Sequence, residues 1–256
     1  MPIVRLVPAH YYLDDRNEMT LQTVILAAGM GTRLARPHPK PLTPLDDGRT
    51  IMTQQVENLE ATFGEQLRLT IVVGYKLEQI MEHVPDASFV YNEVFDQTNT
   101  SKSLLKALKN SHEGGVLWMN GDVVFDPEML EHLRRWIEAD KSFIAVDTSS
   151  VSDEEVKYTV GNDGFINNLS KRAQNALGEA IGINYVSSTD KDVLIARLTE
   201  VDDQEYFEGG IEAAISLDGS RYIAVDISAY YAVEVDFAED LVRANEKMLI
   251  AEPSAK

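Results

Sequence analysis

Short apolar, β-branched runs alternate along this chain with longer segments whose apolar residues recur at helical spacing, a pattern that predicts parallel strands joined by crossover helices. Residues 23–28 read as a strand buried on both faces. A helix follows over 51–63, with Ile51, Met52, Val56, Leu59 and Phe63 close to one stripe and Thr50 placed to cap it. Further strands are expected at 67–73, 87–91, 115–119 and 142–146, and helices at 77–84 and 127–139. The last of these has Asp126 as its cap and Pro127 in its first position.

The texture changes after Thr148. Residues 157–160 and 165–169 flank an Asn162-Asp-Gly164 turn and read as a hairpin, so antiparallel strands join the sheet here. Helices return over 191–200, 205–217 and 237–249, with strands at 221–225 and 231–235 between them. The expected fold is α/β: a mixed, mostly parallel Rossmann-like sheet flanked by helices, with a small antiparallel insertion on the substrate side. Residues 1–22 are set aside as an N-terminal extension, with Met19 a second possible start, and 23–250 form one unit.

Composition adds limits. With 256 residues, 44% hydrophobic and 25% charged, the chain is long enough to bury a sizeable core. A formal charge of -19 argues against nucleic acid or an anionic membrane as partner. An anionic small substrate then needs local cations, and Arg33, Lys40, Lys102 and Lys171 are the candidates. Without cysteine there is no disulfide, thiolate zinc site or thiol nucleophile. The five histidines, His38 among them, are scattered and suggest no zinc site. No apolar run is long enough to cross a bilayer and the first segment lacks a signal-peptide core, so the cytoplasm is the expected location.

Gly29 and Gly31 break the first strand into a loop whose backbone N–H groups can converge on an anion, and Arg33 and Lys40 add cations beside it. Pro39 and Pro41 stiffen the segment that carries Lys40. A triphosphate seat is the reading that uses all of these. A dinucleotide fingerprint wants a third glycine where Leu34 stands, and a P-loop wants Gly-Lys-Ser/Thr where Gly31-Thr-Arg stands. A plain glycine turn explains the glycines but not the cations. Asp122 lies just past the carboxyl end of a buried strand, where open α/β sheets bind ligands. It also suits a turn aspartate, although Asp126 already serves as helix cap. Asp236 has capping-box spacing to Glu239 and can be read simply as the start of the last helix. The polar cluster from Asp96 to Ser103 precedes another helix and is rich in N-cap residues.

Leu26-Ala-Ala-Gly-Met-Gly-Thr-Arg-Leu34, followed by Pro39-Lys-Pro-Leu42, resembles the signature of the sugar-phosphate nucleotidyltransferase family, the GT-A-like NTP transferases. The short spacing between Arg33 and Pro39 is similar to the branch of bacterial inositol-phosphate and phosphocholine cytidylyltransferases. The resemblance implies a nucleotide held by Leu26, Ala27, Ala28, Gly29, Gly31 and Thr32, with Arg33 and Lys40 as catalytic cations. It implies Asp122 and Asp236 as ligands of a catalytic Mg²⁺, and Asn99 and Ser103 on the base side. Lys171 would hold the acceptor's phosphate, with Glu179 and Glu208 at its headgroup. Gly209 and Gly210 stand where relatives carry an acid and a small residue, which leaves the acceptor open. On this view 23–147 is the nucleotide-binding half and 148–250 the acceptor-binding half.

The implied reaction is magnesium-dependent coupling of an NTP, with CTP favoured, to a small phosphate or phosphonate monoester, releasing pyrophosphate. The product would be a CDP-activated alcohol, amine or polyol for cell-surface polymer or lipid synthesis. A sugar-1-phosphate uridylyl- or thymidylyltransferase is the rival within the class. Of other classes, an oxidoreductase lacks its third glycine, and a silent nucleotide-binding regulatory domain would be expected to lose Lys40 or Asp122. No nucleic acid or membrane insertion is expected, and a homo-oligomer is left open.

Overall fold

The computed structural model describes residues 20–31, 34, 36–149, 151 and 155–251. The first half builds a sheet from alternating strands and helices: β1 (Leu21–Ala27), α1 (Ile51–Phe63), β2 (Leu67–Val73), α2 (Leu77–His83) and β3 (Ser88–Tyr91), with β1 and β2 and then β2 and β3 parallel. α3 (Thr100–Lys109) leads to β4 (Val116–Asn120), which pairs with β1 from the other side, also parallel. β5 (Val123–Phe125), α4 (Pro127–Glu138) and β6 (Phe143–Asp147) follow. The second half holds β7 (Lys157–Val160), β8 (Ile166–Ser170), β9 (Gly178–Val186), α5 (Lys191–Glu200), α6 (Phe207–Asp218), β10 (Ile223–Asp226), β11 (Ala232–Glu234) and α7 (Ala238–Ala251).

The main sheet runs β10-β6-β9-β4-β1-β2-β3, with the β7–β8 hairpin attached to β9. β9 is antiparallel to both β4 and β6, while β10 is parallel to β6. It is the element the sequence pattern does not reveal: residues 178–183 read as part of a site, not as a strand. Every residue of β9 except Glu179 is buried, so it shows the continuous apolar texture of a central strand, broken by Gly178 and Gly182. β5 is too short to stand out, and β1 begins at Leu21, two residues inside the stretch read as extension.

Alternation along the strands divides the core into two layers. Ile25, Ile71, Leu117, Met119 and Ile183 face α1 and α4, whereas Val24, Val72, Trp118 and Ile144 face α3, α5 and α6. Trp118 is fully buried and meets Phe207 edge to face at 5.7 Å. A third cluster, including Leu45, Ile51, Val124, Val233, Val235 and Met248, seats the small β5–β11 ribbon and α7 against the loop after β1. With each fully buried apolar side chain worth about 1.5–3 kcal/mol, this layering is what holds the strand ends, and hence the cleft above them, in place. Among the described residues no helix is long and apolar enough to cross a membrane.

Candidate active site

A cleft of about 440 Å³ opens at the carboxyl ends of β1 and β4, where the strands stop and their backbones turn outward. Gly121 closes that end: its N–H donates to the Leu26 carbonyl at 2.9 Å, and a Cβ there would lie 2.8 Å from the same oxygen. Only glycine lets β4 turn this close to β1 and deliver Asp122 to the rim.

Asp236 arrives by a separate route. β5 and β11 pair antiparallel with Val123 opposite Glu234, and the Val235 N–H donates to the Asp122 carbonyl at 3.0 Å. The register brings residue 236 alongside residue 122. The Lys40 ammonium donates to Asp122 Oδ2 at 2.5 Å and to Asp236 Oδ1. Burial alone would lower the Lys40 pKa, but the two carboxylates outweigh it and hold it above the ordinary lysine value. The start of α7 is served by Asp240, whose carboxylate accepts from the N–H groups of Asp236 and Phe237 at 3.0 and 2.8 Å. One Asp236 carboxylate oxygen thus faces Lys40, while Asp240, in the first turn of α7, reaches back to the backbone just before the helix.

Gly31 lies beneath Lys40 with φ +58°, and a Cβ on it would lie 2.9 Å from the lysine Cβ. Leu26, Ala27, Gly29 and Gly31 line the cleft. Ala28 does not: it packs in the core and its carbonyl accepts from Tyr75 N–H at 3.1 Å. Thr32 and Arg33 lie outside the described residues. Asn99 and Ser103 do not line the cleft. Asn99 caps α3 through Thr100 N–H at 2.8 Å and donates to Gln204 O, while the buried Ser103 hydroxyl accepts from Asn92 at 3.1 Å. Their neighbour Thr100 does reach the cleft. Lys102, a candidate cation on sequence, is buried, donates to the Leu198 and Val201 carbonyls at 3.0 and 2.6 Å and stands 3.6 Å from Asp203 Oδ1, and it does not line the cleft.

Another stretch of the cleft wall carries Lys171, Glu155, Tyr206 and Glu208. Lys171 Nζ stands 5.5 Å from the Tyr206 ring centroid. Glu208 sits at the start of α6 with its Oε2 shut off from solvent and without a hydrogen-bond partner, and burial pushes its carboxyl up to about 7. Glu179 lies on β9 beside this wall without lining the cleft, and its charge adds to the burial that raises Glu155.

Three contributors went unread in the sequence. Glu234 lines the cleft two residues before Asp236 and accepts from Asn120 Nδ2 at 3.0 Å; burial first, then the Asp122 and Glu155 charges, raise its carboxyl well above the usual range. An acid between the valines of Val233-Glu-Val235 is a visible signal that a strand there faces something polar. Asn120 and Glu155 carry no such signal. Two hard carboxylates sharing one ammonium, with Asp122 Oδ1 buried and unpartnered, suit a divalent cation that also takes phosphate oxygens.

A sheet with its cleft at a strand-end crossover, a glycine loop beneath a lysine and two carboxylates on that lysine define an α/β protein of the nucleotidyltransferase class. The chain belongs to the family of the MobA-like NTP transferase domain, whose model matches residues 23–184. Among similar proteins, the CMP-5'-(3-aminopropyl)phosphonate synthase of Streptomyces rubellomurinus is 35% identical over 128 residues, 46% of this chain and 20% of that protein. The UTP–glucose-1-phosphate uridylyltransferase AglF of Haloferax volcanii is 27% identical over 244 residues, covering 89% and 96% of the two chains. The solved structure of the inositol-1-phosphate CTP transferase from T. maritima superposes with a TM-score of 0.73 at 18% identity, covering 91% of this chain and 96% of that one. The chain spans 27% of the length of the first curated relatives it matches.

Proposed function

We propose that this protein is a magnesium-dependent cytidylyltransferase that joins CTP to a small phosphate or phosphonate monoester and releases pyrophosphate. The convergence of Lys40 with Asp122 and Asp236 beside the glycine loop carries this reading. The CTP preference is supported by the likeness to a CTP transferase structure and to a protein named for a CMP-phosphonate product. The product, a CDP- or CMP-linked alcohol, amine or polyol, would be made in the cytoplasm for cell-surface polymer or lipid synthesis.

In this mechanism an ionised acceptor oxygen attacks the α-phosphorus of the nucleotide in line, the new P–O bond forms, and the bond to the β-phosphate breaks to release pyrophosphate. Attacker and target are both anions, so the protein's task is positioning and charge neutralisation. The loop at Gly29 and Gly31 cradles the phosphates, and Lys40, joined by Arg33, neutralises the departing pyrophosphate. Lys171 draws in the acceptor's phosphate. An acceptor that is already ionised needs no general base. Asp122 and Asp236 would hold Mg²⁺, which supplies Lewis-acid neutralisation of phosphate charge.

A sugar-1-phosphate uridylyltransferase is the second reading, favoured by the near full-length similarity to AglF. Thermal shift with CTP, UTP, dTTP, ATP and GTP, each with Mg²⁺, separates the two without knowledge of the acceptor. A nucleotide at a hundredfold excess over its dissociation constant stabilises the fold by roughly 2.7 kcal/mol. A shift confined to CTP is expected. A shift with UTP or dTTP instead moves the assignment to sugar 1-phosphates, and no shift with any nucleotide refutes both.

A further inference from the structure

Lys76 occupies its position against two local preferences. It stands at the N-cap of α2 with φ 48° and ψ 44°, the left-handed region that favours glycine or asparagine, and its side chain makes no capping bond. A lysine there adds backbone strain and supplies nothing to the start of the helix. Its ammonium goes elsewhere: it donates to the Pro37 carbonyl, 39 positions away in sequence, and lies 5.3 Å from the Tyr75 ring centroid. Lys76 does not line the cleft, and the transfer step leaves it unused.

The turn that carries Lys76 is fixed to the end of β1, where the nucleotide loop begins. Val73 pairs with Ala27 in the parallel β1–β2 register, and the Tyr75 N–H donates to the Ala28 carbonyl at 3.1 Å. Gly74 permits that approach, since a Cβ on it would lie 2.6 Å from the same oxygen and 2.6 Å from the Phe95 Cβ. One turn, held by its backbone to Ala28, therefore reaches forward through a side chain to Pro37.

The segment beyond that contact is stiff. Pro37, Pro39 and Pro41 each fix their own φ, and His38, standing before a proline, is restricted as well. Past Lys40 the chain is held by the Thr43 N–H on the Lys40 carbonyl at 3.0 Å and by the Ile51 N–H on the Thr43 carbonyl at 3.1 Å. Little freedom remains between Pro37 and Lys40 to absorb a shift, so a change at the Pro37 carbonyl is passed to the lysine stem that rests on Gly31.

We propose that Lys76 is a positioning residue for Lys40: by holding the Pro37 carbonyl it sets where the Lys40 ammonium meets the terminal phosphates of the bound nucleotide. The proposal rests on the nucleotidyltransferase reading and adds to it a residue from outside the cleft.

Calorimetry in Mg²⁺ with three probes tests it: the triphosphate that shifts the melting temperature, CTP or UTP; its monophosphate, which lacks the phosphates that Lys40 meets; and inorganic pyrophosphate. Lys76→Met keeps the stem and removes the donor. It is expected to weaken the triphosphate and pyrophosphate by about tenfold, the scale of one charge-assisted hydrogen bond, and to leave the monophosphate at its wild-type affinity. Lys76→Arg, which can donate to the same carbonyl, should restore most of the loss. In a Lys40→Ala background Lys76→Met should cost nothing further, because a residue that acts only through Lys40 then has nothing left to place. Equal losses for triphosphate and monophosphate would mark a general loosening of the fold, and a full further loss on top of Lys40→Ala would mark a cation that meets phosphate by itself. Either result, a loss that Lys76→Arg leaves unrestored, or unchanged binding in Lys76→Met overturns the proposal while the nucleotidyltransferase reading stands. Wild-type protein that binds no nucleoside triphosphate overturns both.

Discussion

Lys40 donates to Asp122 at 2.5 Å across 82 positions of sequence, and the same ammonium reaches Asp236 across 196. Three distant segments meet at one nitrogen because each is fixed by its own backbone constraint: the glycine at 121, the β5–β11 register, and the proline-flanked segment that carries Lys40. A lysine with 11% of its side chain exposed is thus the standing counter-charge of a two-acid site that must also admit polyanions.

Removing one member of this trio should separate folding from turnover. Lys40→Ala and Asp122→Ala are expected to keep the native circular dichroism spectrum while pyrophosphate release falls at least about a hundredfold, the scale of losing a preorganised charge at a transferring phosphoryl group. Release at the wild-type rate from either variant would remove the trio from the mechanism.

Gly31→Ala tests the loop beneath the lysine. At φ +58° a side chain carries left-handed strain, and its Cβ would lie 2.9 Å from that of Lys40, so the lysine must shift. The variant is expected to lose about 1–2 kcal/mol of stability by urea titration. Its smaller CTP-induced thermal shift is the functional readout. A variant with the wild-type shift would show that the loop's conformation does not govern the nucleotide seat.

The parts of the site that could be read from the sequence are those with a local cause. The glycine loop, Lys40 between prolines and Asp122 after an apolar strand each announce themselves within a few residues, as do the cap at Asp126 and the helix α1. The family resemblance then singled out Asp236, Lys171 and Glu208. β9 was hidden because a central strand shows no alternation and its glycines read as loop. Capping residues and ligand residues are the same polar types, so the sequence leaves Asn99 and Ser103 open to either reading, while the fold sets Asn99 at the cap of α3 and Ser103 against Asn92. Glu155 owes its place to the packing of β7 against β9, a long-range pairing that no local spacing encodes.

Lys102 gives the clearest contrast with Lys40. Its Nζ donates to Leu198 and Val201 carbonyls at the end of α5, where the last turn of a helix leaves acceptors without partners. Lys102→Met keeps the apolar stem and abandons those acceptors, so a loss of about 1–3 kcal/mol in urea titration is expected. The nucleotide-induced thermal shift should be unchanged. A reduced shift would mean that Lys102 acts on the cleft.

Glu208 gives the protein a pH signature. Its carboxyl is raised from 4.5 to about 7 by burial, with its own backbone N–H and Lys171 opposing in part. A carboxyl whose folded-state pKa lies above its unfolded one stabilises the fold while protonated, so this contribution is complete below about pH 4.5 and is lost as pH rises through about 7. Glu208→Gln cannot ionise and escapes the loss. The stability of the variant relative to wild type should therefore climb between these limits and level off above them, by up to about 3 kcal/mol from a shift of that size. Urea midpoints taken at intervals from pH 4 to pH 8.5 measure it. A difference that stays flat across the window would mean that the glutamate finds a partner or solvent in the folded protein.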